Sequence, residues 1–112
     1  MAYQKSLELF GFVVEDMKTL SDVYDIRQLR TQQYASADSI CANMEEGSGR
    51  WSTKEFVQYL VIARGSTVET AGRYKRLAHW LPEDVVAARV SLCDEIIAIL
   101  TATLNRMKNR KS

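Results

Sequence analysis

One proline, one histidine, two cysteines and five glycines in 112 residues each remove a class of protein. With a single imidazole, His79, and no cysteine at ligand spacing from it, a zinc or haem site cannot be assembled. The repeated Glu-x-x-His of di-iron helix bundles does not occur either, so no metal or other cofactor is expected. The same scarcity leaves no nucleophile with a base and an orienting acid, and no catalytic residues are assigned. Cys41 and Cys93 both fall inside helix-periodic stretches and read as small buried hydrophobes, not as halves of a disulfide. No apolar run approaches the roughly 20 residues that cross a bilayer. The opening MAYQKSLELFGFVVEDMK lacks the basic, apolar, small-residue order of a secretory signal. These absences point to a cytoplasmic protein without membrane contact and without an enzymatic role.

What is present is 46% hydrophobic and 26% charged residues with a net charge of +1, enough for one domain over residues 1–112 and too little for two. Apolar residues recur at three- and four-residue steps, which is the helical period. The first helix is expected from Gln4 to Leu20, with Leu7, Phe10, Val14, Met17 and Leu20 as its inner seam. The second, Ile26 to Glu46, places Leu29, Gln33, Ala37, Ile40 and Met44 on one side and ends at Gly47 in the left-handed conformation of a helix C-terminus. Gly47-Ser48-Gly49-Arg50 then reads as a tight turn between helices. It lacks the Lys-Ser/Thr of a phosphate loop and follows a helix where such a loop follows a strand.

Ser52-Thr53-Lys54-Glu55 has the form of a capping box and marks the start of the third helix. Its inner positions are Phe56, Leu60, Ala63, Thr67, Thr70, Tyr74 and Leu77. Pro82, followed by Glu83 and Asp84, opens the fourth, whose seam is Val86, Val90, Cys93, Ile97, Leu100, Leu104 and Met107. Four such helices with short connections imply an all-α, antiparallel up-down-up-down four-helix bundle. Second apolar stripes, Val57, Val61 and Val68 on the third helix and Val85, Leu92, Ile96 and Ile99 on the fourth, exceed what one bundle hides. Val57, Val61, Val68, Leu92, Ile96 and Ile99 are accordingly assigned to an interface between copies.

Polar residues gather near the second turn: Asn43, Glu46 and Arg50, with Ser66 and Glu69 on the third helix. Arg50 can reach Glu46 within one chain. Glu69 stands about 25 Å further along. Charge is uneven, with 5 basic and 8 acidic residues in the first 50 positions and 10 and 6 in the rest. Arg73, Lys75 and Arg76, together with Arg106, Lys108, Arg110 and Lys111, form two basic groups that repeat in an oligomer and gain avidity there. These seven are assigned to nucleic-acid binding.

The segment carrying Ser39-Ile40, Asn43, Glu46-Gly47, Gly49-Arg50, Glu55-Phe56, Ile62-Ala63-Arg64-Gly65-Ser66 and Glu69 resembles the bacterial four-helix-bundle proteins encoded in intervening sequences of 23S rRNA genes. The accessory variability determinant of diversity-generating retroelements resembles them too. The resemblance implies a homopentameric ring with no catalytic activity, associated with RNA or other nucleic acid. For the retroelement branch it implies a reverse transcriptase as partner. The alternative is a structural or protein-binding scaffold with no nucleic-acid role.

Overall fold

The computed structural model describes residues 1–50 and 52–110, the side chain of Arg110 excepted. Four helices account for nearly all of it: α1 (Ala2–Thr19), α2 (Arg27–Ser48), α3 (Thr53–Leu77) and α4 (Glu83–Arg110), with one 3₁₀ turn at Tyr24–Ile26. No strand occurs among the described residues. α1 packs on α2 and α4, and α3 packs on the same two helices, so the four stand at the corners of a square. The molecule measures 50 × 22 × 19 Å. No helix among the described residues is long and apolar enough to cross a membrane.

At the start of α3 the N-cap bond of the expected capping box forms. Ser52 is extended and its hydroxyl accepts from the Glu55 amide at 3.1 Å, satisfying one of the amides a helix start leaves unpaired. At α4 the Val86 amide donates to the Pro82 carbonyl at 3.1 Å, so the helix winds directly from the proline. The end of α2 differs. No described glycine has positive φ, and α2 runs through Gly47 to Ser48, with Gly49 capping it at φ −91°. Gly47 is needed for closeness: a Cβ there would stand 3.0 Å from Tyr59 Cβ and 3.3 Å from a Phe56 ring carbon.

The seams of α2 and α3 lie where periodicity puts them. Gln33, Ala37, Ile40 and Met44 face Leu60, Ala63, Thr67, Thr70, Tyr74 and Leu77, all buried, while Leu29 and Phe56 of the same rows are half-buried against the core. The seam expected on α1 holds only at its end, at Met17 and Leu20. Leu9, Val13, Met17 and Leu20 form the core, while Leu7 is exposed and Phe10 and Val14 are half-buried. The inner stripe of α1 includes Ser6 and Asp16, whose polarity hides it in a pattern search. The outer stripe contains only apolar residues.

On α4 the assignment of Leu92 and Ile96 to an interface between copies is overturned. Both are buried in their own chain, Ile96 completely. α4 is held between α1 and α3 and therefore buries a wide face, so two apolar stripes there serve one core. Cys41 and Cys93 are buried free thiols. Burial pushes the Cys41 thiol up to about 11 and the Cys93 thiol up to about 12.

Candidate nucleic-acid interface and polar seam

Small and hydroxylated residues let α2 and α3 approach, and their polar groups then find each other. Gln33 donates through Nε2 to the Thr70 carbonyl at 3.0 Å, and the Ser36 and Thr70 hydroxyls pair at 2.8 Å. One turn along, the Ser39 and Ser66 hydroxyls pair at 2.9 Å, and Asn43 donates to the Ser39 carbonyl and hydroxyl at 2.8 and 3.0 Å. The Thr67 and Thr70 hydroxyls also return to carbonyls of their own helix. The side chains of Gln33, Ser36, Thr67 and Thr70 are thereby paired, as burial demands.

Arg73 belongs to this seam, not to a basic surface. Only 7% of it is exposed. Its Nη1 donates to Gln33 Oε1 and Ser36 Oγ, both at 2.9 Å, and to the Gln32 carbonyl at 3.3 Å. Burial pulls its pKa below the ordinary value, as does the nearby Arg76, while Glu69 acts the other way. This corrects the grouping of Arg73 with Lys75 and Arg76. At 100° per residue its side chain points to α2, whereas theirs are exposed. Glu69 and Ser66 line the same groove of about 380 Å³ between α2 and α3 as Arg73.

The five-residue polar cluster expected from sequence therefore separates in two. Asn43 and Ser66 join through Ser39, with Glu69 beside them along the groove. Glu46 and Arg50 form their own ion pair at the turn. Arg50 also donates to the Tyr59 hydroxyl at 3.0 Å and lies over that ring. Sequence reasoning missed Gln33, Ser36 and Thr70 as polar partners. Gln33 at an otherwise apolar inner position was the available signal.

The exposed basic residues stand in two places. Lys75 and Arg76 occupy the last turn of α3. Arg106 and Lys108 are exposed near the end of α4. Lys108 lines one groove with Val57 and Arg64, and Lys75 is a further 18 residues along α3 from Val57, about 27 Å at 1.5 Å per residue. Within one chain the two groups are not a single patch. The Arg110 side chain and Lys111, assigned to the same basic tail, lie outside the described residues. Of the apolar residues assigned to an interface, Val61 and Val68 are exposed, Val57 is half-buried, and Ile99 lines a hollow at the end of the bundle. No group of three metal-ligating side chains occurs among the described residues.

Residues 1–102 match the family described as 23S rRNA-intervening sequence protein. The chain is also similar to a crystallised protein of unknown function from the S23 ribosomal protein family of Bacteroides thetaiotaomicron, at 24% identity and a TM-score of 0.87. That likeness covers 93% of this chain and 98% of the other, and at this identity it speaks to the fold. No curated protein matches.

Proposed function

The chain belongs to the 23S rRNA-intervening sequence protein family, and from that membership we propose that it is a non-enzymatic, self-associating bundle that binds RNA or other nucleic acid. In this reading the helices run up-down-up-down and copies assemble into a ring, pentameric as the family resemblance implies. The α2–α3 contacts support the direction: Gln33 meets Thr70, Ser39 meets Ser66 and Arg50 meets Tyr59, so numbers rise on one helix as they fall on the other.

The observation that carries the nucleic-acid reading is the end of the molecule at which α4 finishes. Arg106 is exposed there, with Lys54 at the start of neighbouring α3. Repeated around an oligomer, such groups neutralise several phosphates at once. That binding releases counterions and so weakens steeply with salt. Lys75 and Arg76 form a second, separate ring of charge, and the Arg73 guanidinium holds α2 to α3 beneath them.

The test is retention of a labelled 23S rRNA fragment on a filter. Retention at about 50 mM salt is expected, falling by at least about tenfold by 200 mM. The Lys54→Glu/Arg106→Glu variant should lose it, while Lys75→Glu/Arg76→Glu reports on the second ring. No retention at about 50 mM overturns the reading. The scaffold reading then takes its place, favoured by the exposure of Val61, Ile62 and Val68 on α3.

A further inference from the structure

α1 carries an outer apolar stripe at 4-3-4 spacing, Tyr3, Leu7, Phe10 and Val14, none of it fully buried and Leu7 47% exposed. α2 lies alongside: the Tyr3 hydroxyl donates to Glu45 at 2.6 Å. Asp38 and Glu45 fall on the same stripe of α2 by helical spacing and both are exposed. A shallow hollow of about 350 Å³ opens there between Tyr3, Met44, Glu45 and Ser48. The α1/α2 flank is thus apolar with an acidic border.

α3 has a matching stripe, Val57, Val61, Arg64 and Val68, again at 4-3-4 spacing, with Val61 44% and Val68 54% exposed. With Leu104, Met107 and Lys108 of α4 it forms an apolar groove of about 320 Å³. Its charged residues, Arg64 and Lys108, are both basic. Because α1 and α3 each pack on α2 and α4, the α1/α2 and α3/α4 flanks face away from each other. The charges follow the same division, −3 in residues 1–50 and +4 in the remainder. Both flanks also stand at one height, since Tyr3, Met44, Phe56, Leu60 and Leu100 line a common hollow at that end of the bundle.

We infer that copies of this chain dock head to tail, the acid-bordered α1/α2 flank of one seated on the basic α3/α4 groove of the next. The inference rests on the self-association proposed above and says which surfaces meet. A contact between two different faces leaves one of each free on every pair, so it propagates until it closes. Contacts at one height add copies side by side with no axial step, and the row closes into a ring where the rotation from one copy to the next closes. Val57, Val61 and Val68 lie in this contact, and Leu92 and Ile96 have no part in it. Complementary charge sets the polarity of the contact and opposes docking of like faces.

Two variants, each spoiled on one face, test it. Asp38→Lys/Glu45→Lys breaks the acidic flank and Arg64→Glu/Lys108→Glu breaks the groove. Each alone should remain at the 12.8 kDa of one chain by light scattering, with helical circular dichroism unchanged. Mixed, they should form a species of twice that mass and nothing larger, because each retains the face the other lacks. Leu7→Arg and Val61→Glu, at exposed apolar positions, supply the same two half-blocked chains if either charge reversal fails to fold. A wild-type chain that stays single at every concentration overturns self-association and this pairing together. If the wild type assembles and either variant still assembles as it does, the choice of faces is wrong while self-association stands. Monomeric variants that ignore each other on mixing overturn the head-to-tail geometry alone.

Discussion

The hydroxyl of Tyr74 on α3 donates to the carboxylate of Asp16 on α1 at 2.7 Å, across 58 positions of sequence. The same carboxylate takes two bonds from Arg89 on α4, Nε at 2.9 Å and Nη2 at 3.1 Å. The Arg89 guanidinium lies over the Phe12 ring, 3.9 Å from its centre. Asp16 and Arg89 keep only 8% and 16% of their side chains exposed. Three helices are therefore tied through one carboxylate in the core. The bond to Asp16 holds Arg89 above its ordinary pKa, and burial with the Asp16 bond carries the Tyr74 phenol far above its own.

Removing parts of this knot should cost unequal amounts. Tyr74→Phe deletes one bond to a charged group, worth about 1.5 to 3 kcal/mol. Asp16→Ala strands a largely buried guanidinium and should cost about 3 to 5 kcal/mol. In a domain of this size each kcal/mol lowers Tm by about 4 to 8 °C, so thermal melts resolve the order. Equal losses from the two variants would show that Asp16 acts only through Tyr74.

Ile96 and Val68 were grouped by periodicity and are separated by burial, 0% against 54% exposed. Ile96→Ala should destabilise the fold by about 2 to 5 kcal/mol. Val68→Ala, which empties no core volume, should change stability by no more than about 0.5 kcal/mol. Urea unfolding of the two variants makes the comparison. A small effect at Ile96 would contradict its place in the core of α4.

Two helical glycines should respond oppositely to alanine. At Gly47 the new methyl meets Tyr59 and Phe56 at 3.0 and 3.3 Å, and overpacking of about 1 to 3 kcal/mol exceeds the helix-propensity gain. At Gly11 nothing lies within 4 Å of the added carbon. Gly11→Ala should therefore stabilise by about 0.5 to 1 kcal/mol. The sign of each Tm change is the readout.

The buried thiols give the fold an alkaline limit. The Cys93 thiol is pushed up to about 12 from an ordinary 9.0, first by burial. Its folded pKa lies above its unfolded one, so the stability it contributes is complete below pH 9 and is lost as pH rises toward 12. Tm should fall across that window, and Cys93→Val should flatten the fall without removing it, because Tyr74 and Cys41 have raised pKa values too. A Cys93→Val chain with the same alkaline profile as the wild type would exclude Cys93 as a contributor.

Some of the site was legible before the fold was known. The Arg50–Glu46 pair needs only a four-residue step across a helix end, and it forms. The separation of Arg73 from Lys75 and Arg76 was not legible, because sequence proximity records neighbours and not direction. Gln33, Ser36 and Thr70 became partners only when two helices met. None of them carries a charge that would announce it.

Local chemistry, written in the order of the residues, was sufficient to set the number of helices, the Ser52 cap, the proline start of α4 and the inner rows of α2 and α3. Those features depend on interactions within a few residues, which the period and the capping groups encode directly. The tertiary structure decided which of two apolar stripes on α1 turns inward and how wide a face α4 buries. It also decided that Gly47 serves close packing and not a left-handed turn. Each of those outcomes depends on what stands opposite: Tyr74 and Arg89 draw Asp16 into the core, α1 and α3 enclose α4, and Phe56 and Tyr59 press on Gly47.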